Sequence, residues 1–305
     1  MSDEERTPIP EELREEWKHL ALISRALGHA LAARPTPLPG SSLEFADDLY
    51  QSEVVSQWSR EMLNSAIDHF QAWADVFVPL QQFEGQVVIH RGHRWYFTFV
   101  RAILEGASQS LWLLSVPNAQ VAVARLLVAV RHDLEEERKA LALLGMDTSS
   151  VVERLARHAA AAEAFAEFET PRAKLPAMVD LIANAARKEG LSPDRLVADW
   201  RLSSAAAHGK LWARPHLQVA VKSAEWRPGQ YLQSTHVDLQ ALADMLNRAS
   251  SLLNRAVLRY LTHSGEANPL PLMRDAILKS ARATPTVGGP EALEKLIATL
   301  PKLPS

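Results

Sequence analysis

Arg201, Ser204 and His208 stand where three side chains of useful chemistry could act together. Seven positions separate Arg201 from His208. On an α-helix that is two turns less about twenty degrees, so both side chains share a face, ~10 Å apart in rise. Ser204 falls between them on the same stripe. An arginine offers a planar donor fork for a phosphate and for charge that develops on it. A histidine moves a proton near neutral pH. The same types also serve structure. Arg201 could pair with a carboxylate, Asp199 or Glu105, while His208 caps a helix C-terminus. Arg14 with His19, and Arg125 with His132, repeat the pattern of an arginine and a histidine with four to six residues between them. With 11 histidines in the chain, roughly two or three such matches arise by chance. Arg125 and His132 also share the seven-residue spacing and remain a rival pair.

The element that must carry the first pair is predicted as a helix over residues 192–209. Ser192 suits the N-cap and Pro193 the first helical position. Gly209 suits the position just past a helix end. Ala205, Ala206 and Ala207 are small and would let another helix approach closely. Arg101 and Glu105 lie one turn apart in a strongly apolar helical stretch, a spacing that allows an ion pair.

His90, Arg91, His93 and Arg94 precede that stretch, beside Trp95 and Tyr96. Histidines three apart could share a metal on a helix, but no carboxylate lies at the right spacing and Gly92 weakens the helix. The basic aromatic cluster could hold a phosphate or a base, or form a solvated helix start. Glu16-Trp-Lys-His19 has the Glu-x-x-His spacing of helical di-iron sites, which require a second copy that is missing here. Asp47 and Asp48, with Asn247, Ser251 and Arg255, resemble the two motifs of helical terpene cyclases, but Arg255 replaces the acid that the second motif needs. No metal and no cofactor are expected.

The chain of 305 residues has room for an ample core. Its formal net charge of −3 excludes a global basic field, so a nucleic-acid contact would need a local patch. The absence of cysteine removes disulfides, thiolate metal sites and thiol nucleophiles, and fits a reducing cytoplasm. The acidic N-terminus does not resemble a signal peptide, and the apolar runs are too short and too charged to span a bilayer.

Apolar residues recur at helical spacing along most of the chain. The expected order is an N-terminal arm and helix over residues 1–42, a long helix over 43–85 ending near 82, a helical core over 86–265, and a Pro- and Gly-containing tail over 266–305. Residues 215–237, around Arg227 and Pro228, carry the signal for a hairpin. The fold class is therefore all-α, a bundle of about eight to ten helices with at most one small β-hairpin.

The segment from Arg101 to Trp112, followed much later by Leu202-Ser-Ser-Ala-Ala-Ala-His-Gly209, resembles the HEPN superfamily of bacterial all-helical proteins, over about the middle half of the chain. In the nuclease branch of that superfamily the helices form a dimer. Arg and His from both copies line a cleft and cut RNA without metal, using the 2′-hydroxyl of the substrate. The resemblance thus implies a homodimer, with Arg201 and His208 as the reacting groups and RNA or a nucleotide as ligand, in a toxin or defence setting. The chain departs from that branch at Leu202, where a polar residue is usual. The other class left open is a non-catalytic helical scaffold that binds a protein partner.

Overall fold

A computed structural model describes residues 10–78, 95–168, 173–228 and 230–283. It is an all-α bundle of eleven helices and one two-stranded hairpin. In order come α1 (Glu11–Ala32), α2 (Ser42–Leu49), α3 (Val55–Phe77), α4 (Tyr96–Leu114), α5 (Ala119–Leu143), α6 (Ser149–Glu163), α7 (Met178–Lys188) and α8 (Pro193–Ala207). A 3₁₀ turn (Leu211–Ala213), the four-residue α9 (Arg214–Leu217), strands β1 (Gln218–Arg227) and β2 (Gln230–Val237), α10 (Leu239–His263) and α11 (Leu270–Ala283) follow.

The bundle is organised around α4, which packs against α3, α10, α8 and α7. Its buried residues face several directions: Val100, Leu104, Ala107 and Leu111 form one stripe, Phe97 and Ser108 lie to one flank, and Gly106, Ser110 and Leu113 to the other. A helix that is apolar on most sides must be covered on most sides. Gly106 sets the closeness of α3, because a Cβ there would lie 2.5 Å from the Met62 carbonyl oxygen. One hydrophobic cluster runs from Leu13 of α1 to Met273 of α11, so the first and last described helices belong to the same core.

The predicted long helix over residues 43–82 is instead two helices, α2 and α3, broken at residues 50–54. Side-chain chemistry that periodicity does not report makes the break. Asp47 of α2 accepts from the Ser56 backbone N–H at 3.0 Å and from the Ser56 hydroxyl, satisfying an orphan amide in the first turn of α3. Burial pushes the Asp47 carboxyl above its ordinary value, against the lowering effect of those Ser56 bonds. Tyr50, in the break, bonds His158 of α6 through its hydroxyl at 2.5 Å. This split, together with the short α9, takes the number of helices past the expected ten. The hairpin forms where expected, antiparallel, with Gln218 opposite Val237 and Arg227 opposite Gln230.

Candidate functional site

The candidate site lies where α4 crosses the end of α8. Ser192 occupies the N-cap position of α8 and Pro193 its first turn, although the Ser192 side chain makes no capping bond. The helix ends in a Schellman motif. Gly209 takes φ +69, its N–H bonds the Ala206 carbonyl at 3.1 Å, and the Lys210 N–H bonds that of Ala205 at 2.8 Å. Glycine is required there because other residues pay for a left-handed backbone. His208 is the C-cap residue, with its own N–H on the Ser204 carbonyl at 3.0 Å. Its backbone is so committed, and its side chain is exposed.

The partner of that side chain is Arg101 of α4, 107 residues away. Arg101 Nη1 lies 3.2 Å from His208 Nε2. A guanidinium only donates, so the contact places a lone pair on Nε2 and the ring proton on Nδ1. Arg101 is held from its other side, its Nε donating to Glu105 Oε1 at 2.7 Å. The Trp200 indole N–H of α8 donates to the same oxygen at 2.8 Å. Glu105 thus fixes the arginine and ties α4 to α8. The side chains of Arg101 and Glu105 are 31% and 24% exposed, so the pair is half-screened and open to a ligand.

Arg201 takes neither carboxylate that the sequence offered it. Asp199 is buried and bonded by Arg248 of α10 in fork geometry, at 2.6 and 3.0 Å, and Glu105 is taken by Arg101 and Trp200. Burial pushes the Asp199 carboxyl up while Arg248 pulls it back, and the same contact holds Arg248 more firmly charged. Arg201 is exposed and has no hydrogen bond or ion pair among the described residues. Ser204 is half-buried between Arg201 and His208. The rival Arg125 is spent on structure, donating to the Trp112 carbonyl at 2.7 Å and lying 5.4 Å from that indole ring. His90, Arg91, His93 and Arg94 lie outside the described residues. Among the described residues no three His, Asp or Glu side chains gather to hold a metal ion. No helix there is long and apolar enough to cross a membrane. The second cyclase-like motif is structural too: Asn247 bonds Glu16, and Arg255 bonds the Glu189 carbonyl.

Beyond His208, Lys210 and Arg214 are exposed and help line a shallow hollow, about 10 Å³ in volume, with Phe97, Ala206 and Leu217. Phe97 lies one turn before Arg101 on α4, and Ala206 and Lys210 stand two residues to either side of His208. Pockets that enclose a small ligand measure ~300–1,000 Å³, so this hollow has room for no more than about a water molecule. Between Asp199 and Glu225 the chain has no acidic residue, while it carries Arg201, Lys210, Arg214 and Lys222 besides His208 and His216. That acid-free run in a net-acidic chain was the available signal for this surface, and motif spacing alone passes over it. The chain matches no protein-family model, no curated protein and no solved structure among known proteins.

Proposed function

We propose that this is an HEPN-like RNA-handling protein that cuts RNA without metal, with His208 and Arg101 as the reacting groups and Arg201 as an outlying phosphate ligand. The observation that carries the proposal is the Arg101–His208 contact at the open end of α8. His208 Nε2 accepts from Arg101 Nη1, and the same guanidinium, held by Glu105 through its Nε, belongs to a side chain 31% exposed.

When a phosphodiester takes over the Arg101 Nη1 donor, the Nε2 lone pair of His208 is released and takes the proton of the 2′-hydroxyl. The 2′-oxygen attacks phosphorus, the bond to the 5′-oxygen breaks, and the leaving oxygen receives a proton from water or from the charged imidazole. The products are a 2′,3′-cyclic phosphate and a 5′-hydroxyl. Arg101 and Arg201 stabilise the charge on the phosphoryl oxygens. The proposal includes a homodimer, which would place two such sites together, and a cytoplasmic setting of toxin or defence type.

The test is incubation of purified protein with labelled single-stranded RNA in excess chelator. Cleavage to cyclic phosphate ends is expected, His208→Ala abolishing it and Arg101→Ala lowering both rate and affinity. RNA left intact by the folded wild-type protein overturns the proposal. A second reading, a scaffold that docks a protein, is favoured by the turn between α5 and α6. There Leu143 is 89% exposed and Leu144 73% exposed, with Met146 and Val152 also open.

A further inference from the structure

We infer that the segment from Lys210 to His216 is a binding track for single-stranded RNA, with Trp212 as a stacking platform for a base. The inference rests on the proposed function for the identity of its ligand and deepens it by naming the strand form.

The track is built by the way the chain leaves α8. After Gly209 reverses the backbone, Leu211–Ala213 makes a single 3₁₀ turn whose Ala213 is buried against the core. Three residues per turn place Trp212 about a third of a turn from Ala213, and its side chain is 56% exposed. A tryptophan exposed to this extent gives up core burial worth ~2 kcal/mol or more. Leu217, buried at the end of α9, anchors the other side of the segment. The indole therefore stands on a fixed base rather than on a swinging loop.

Two cations flank it. Lys210 and Arg214 are exposed and have no side-chain partner among the described residues, and the His216 imidazole is exposed beside them. Lys210 and Arg214 line one hollow with Ala206 and Phe97. An aromatic face set between unpaired cations, with no acid nearby in sequence, is the pattern that holds a strand through its phosphates and stacks its bases without reading them. A duplex keeps its bases stacked inside and offers the indole no free face. A strand held this way would bring a phosphate to Arg101.

The experiment measures fluorescence anisotropy of a labelled 2′-O-methyl oligouridine, which has no free 2′-hydroxyl and cannot be cut by the proposed reaction. Single-strand binding is expected to weaken as salt rises. Trp212→Ala should weaken it about tenfold and Trp212→Phe much less, at unchanged far-UV circular dichroism. Lys210→Ala with Arg214→Ala should flatten the slope of log K against log salt by about 1.4, two phosphates at ~0.7 each. Trp212→Ala binding as tightly as wild type, or a duplex of the same chemistry binding more tightly than the single strand, overturns the track. Because the probe is inert, these results are independent of catalysis. Wild-type protein that binds the probe through Trp212 but leaves ordinary RNA intact overturns the proposed cleavage and upholds the track.

Discussion

Glu105 bears two bonds on one oxygen, and removing it separates their contributions. Glu105→Ala deletes the acceptor for Arg101 at 2.7 Å and for the Trp200 indole at 2.8 Å. An i,i+4 ion pair on an exposed helix is worth ~0.3–0.5 kcal/mol, and the arginine-first order found here is the weaker one. Half-burial of both side chains raises that modestly. The indole N–H, packed between α4 and α8, loses a charged acceptor, and a stranded donor costs ~1–3 kcal/mol. Trp200 is only half-buried, so the low end applies. The sum for Glu105→Ala is ~2 kcal/mol. Arg101→Ala leaves the indole bond intact and should cost less, ~0.5–1 kcal/mol. Glu105→Gln keeps an oxygen for Trp200 and should recover about half of the alanine loss. Urea unfolding followed by circular dichroism at 222 nm reads all three. With a slope of ~3 kcal/mol/M, the Glu105→Ala midpoint falls by ~0.7 M. The refuting result is an order in which Arg101→Ala costs as much as Glu105→Ala, or a Glu105→Ala midpoint equal to wild type. Either would mean that the shared oxygen does not tie α4 to α8.

Gly106→Ala should destabilise by ~2–3 kcal/mol, because its Cβ would meet the Met62 carbonyl 2.5 Å away and force α3 off α4; a melting temperature within a degree of wild type would show that the helices give way freely. His158 supplies a pH dependence. Burial, the largest effect, with Arg154 and Arg157 nearby, outweighs Glu53 and lowers the imidazole below its ordinary 6.5. The unfolded chain then binds the proton more readily, so this contribution to stability is full above about pH 6.5 and is lost as pH falls toward the folded value. The gap in stability between wild type and His158→Phe, measured at pH 7.5 and at pH 5, should shrink at the lower pH, and a gap that widens there would reverse the assigned sign.

The fold class was legible in the sequence because helix-forming signals are local. Apolar spacing, Pro193 at a helix start and Gly209 at a helix end act within a turn or two of themselves, and the hairpin around Arg227 and Pro228 announced itself in the same way. The face shared by Arg201 and His208 follows from helix geometry alone. What those side chains meet does not, because no local pattern records which helices become neighbours. The packing of α4 on α8 brought Arg101 to His208 across 107 residues and gave Glu105 to Trp200. The approach of α10 gave Asp199 to Arg248 and left Arg201 to the solvent. Asp47 ended a periodic run early because its carboxylate served the first turn of α3. Spacing along the chain determined where the helices lie, and burial of their apolar faces against one another determined which charges meet.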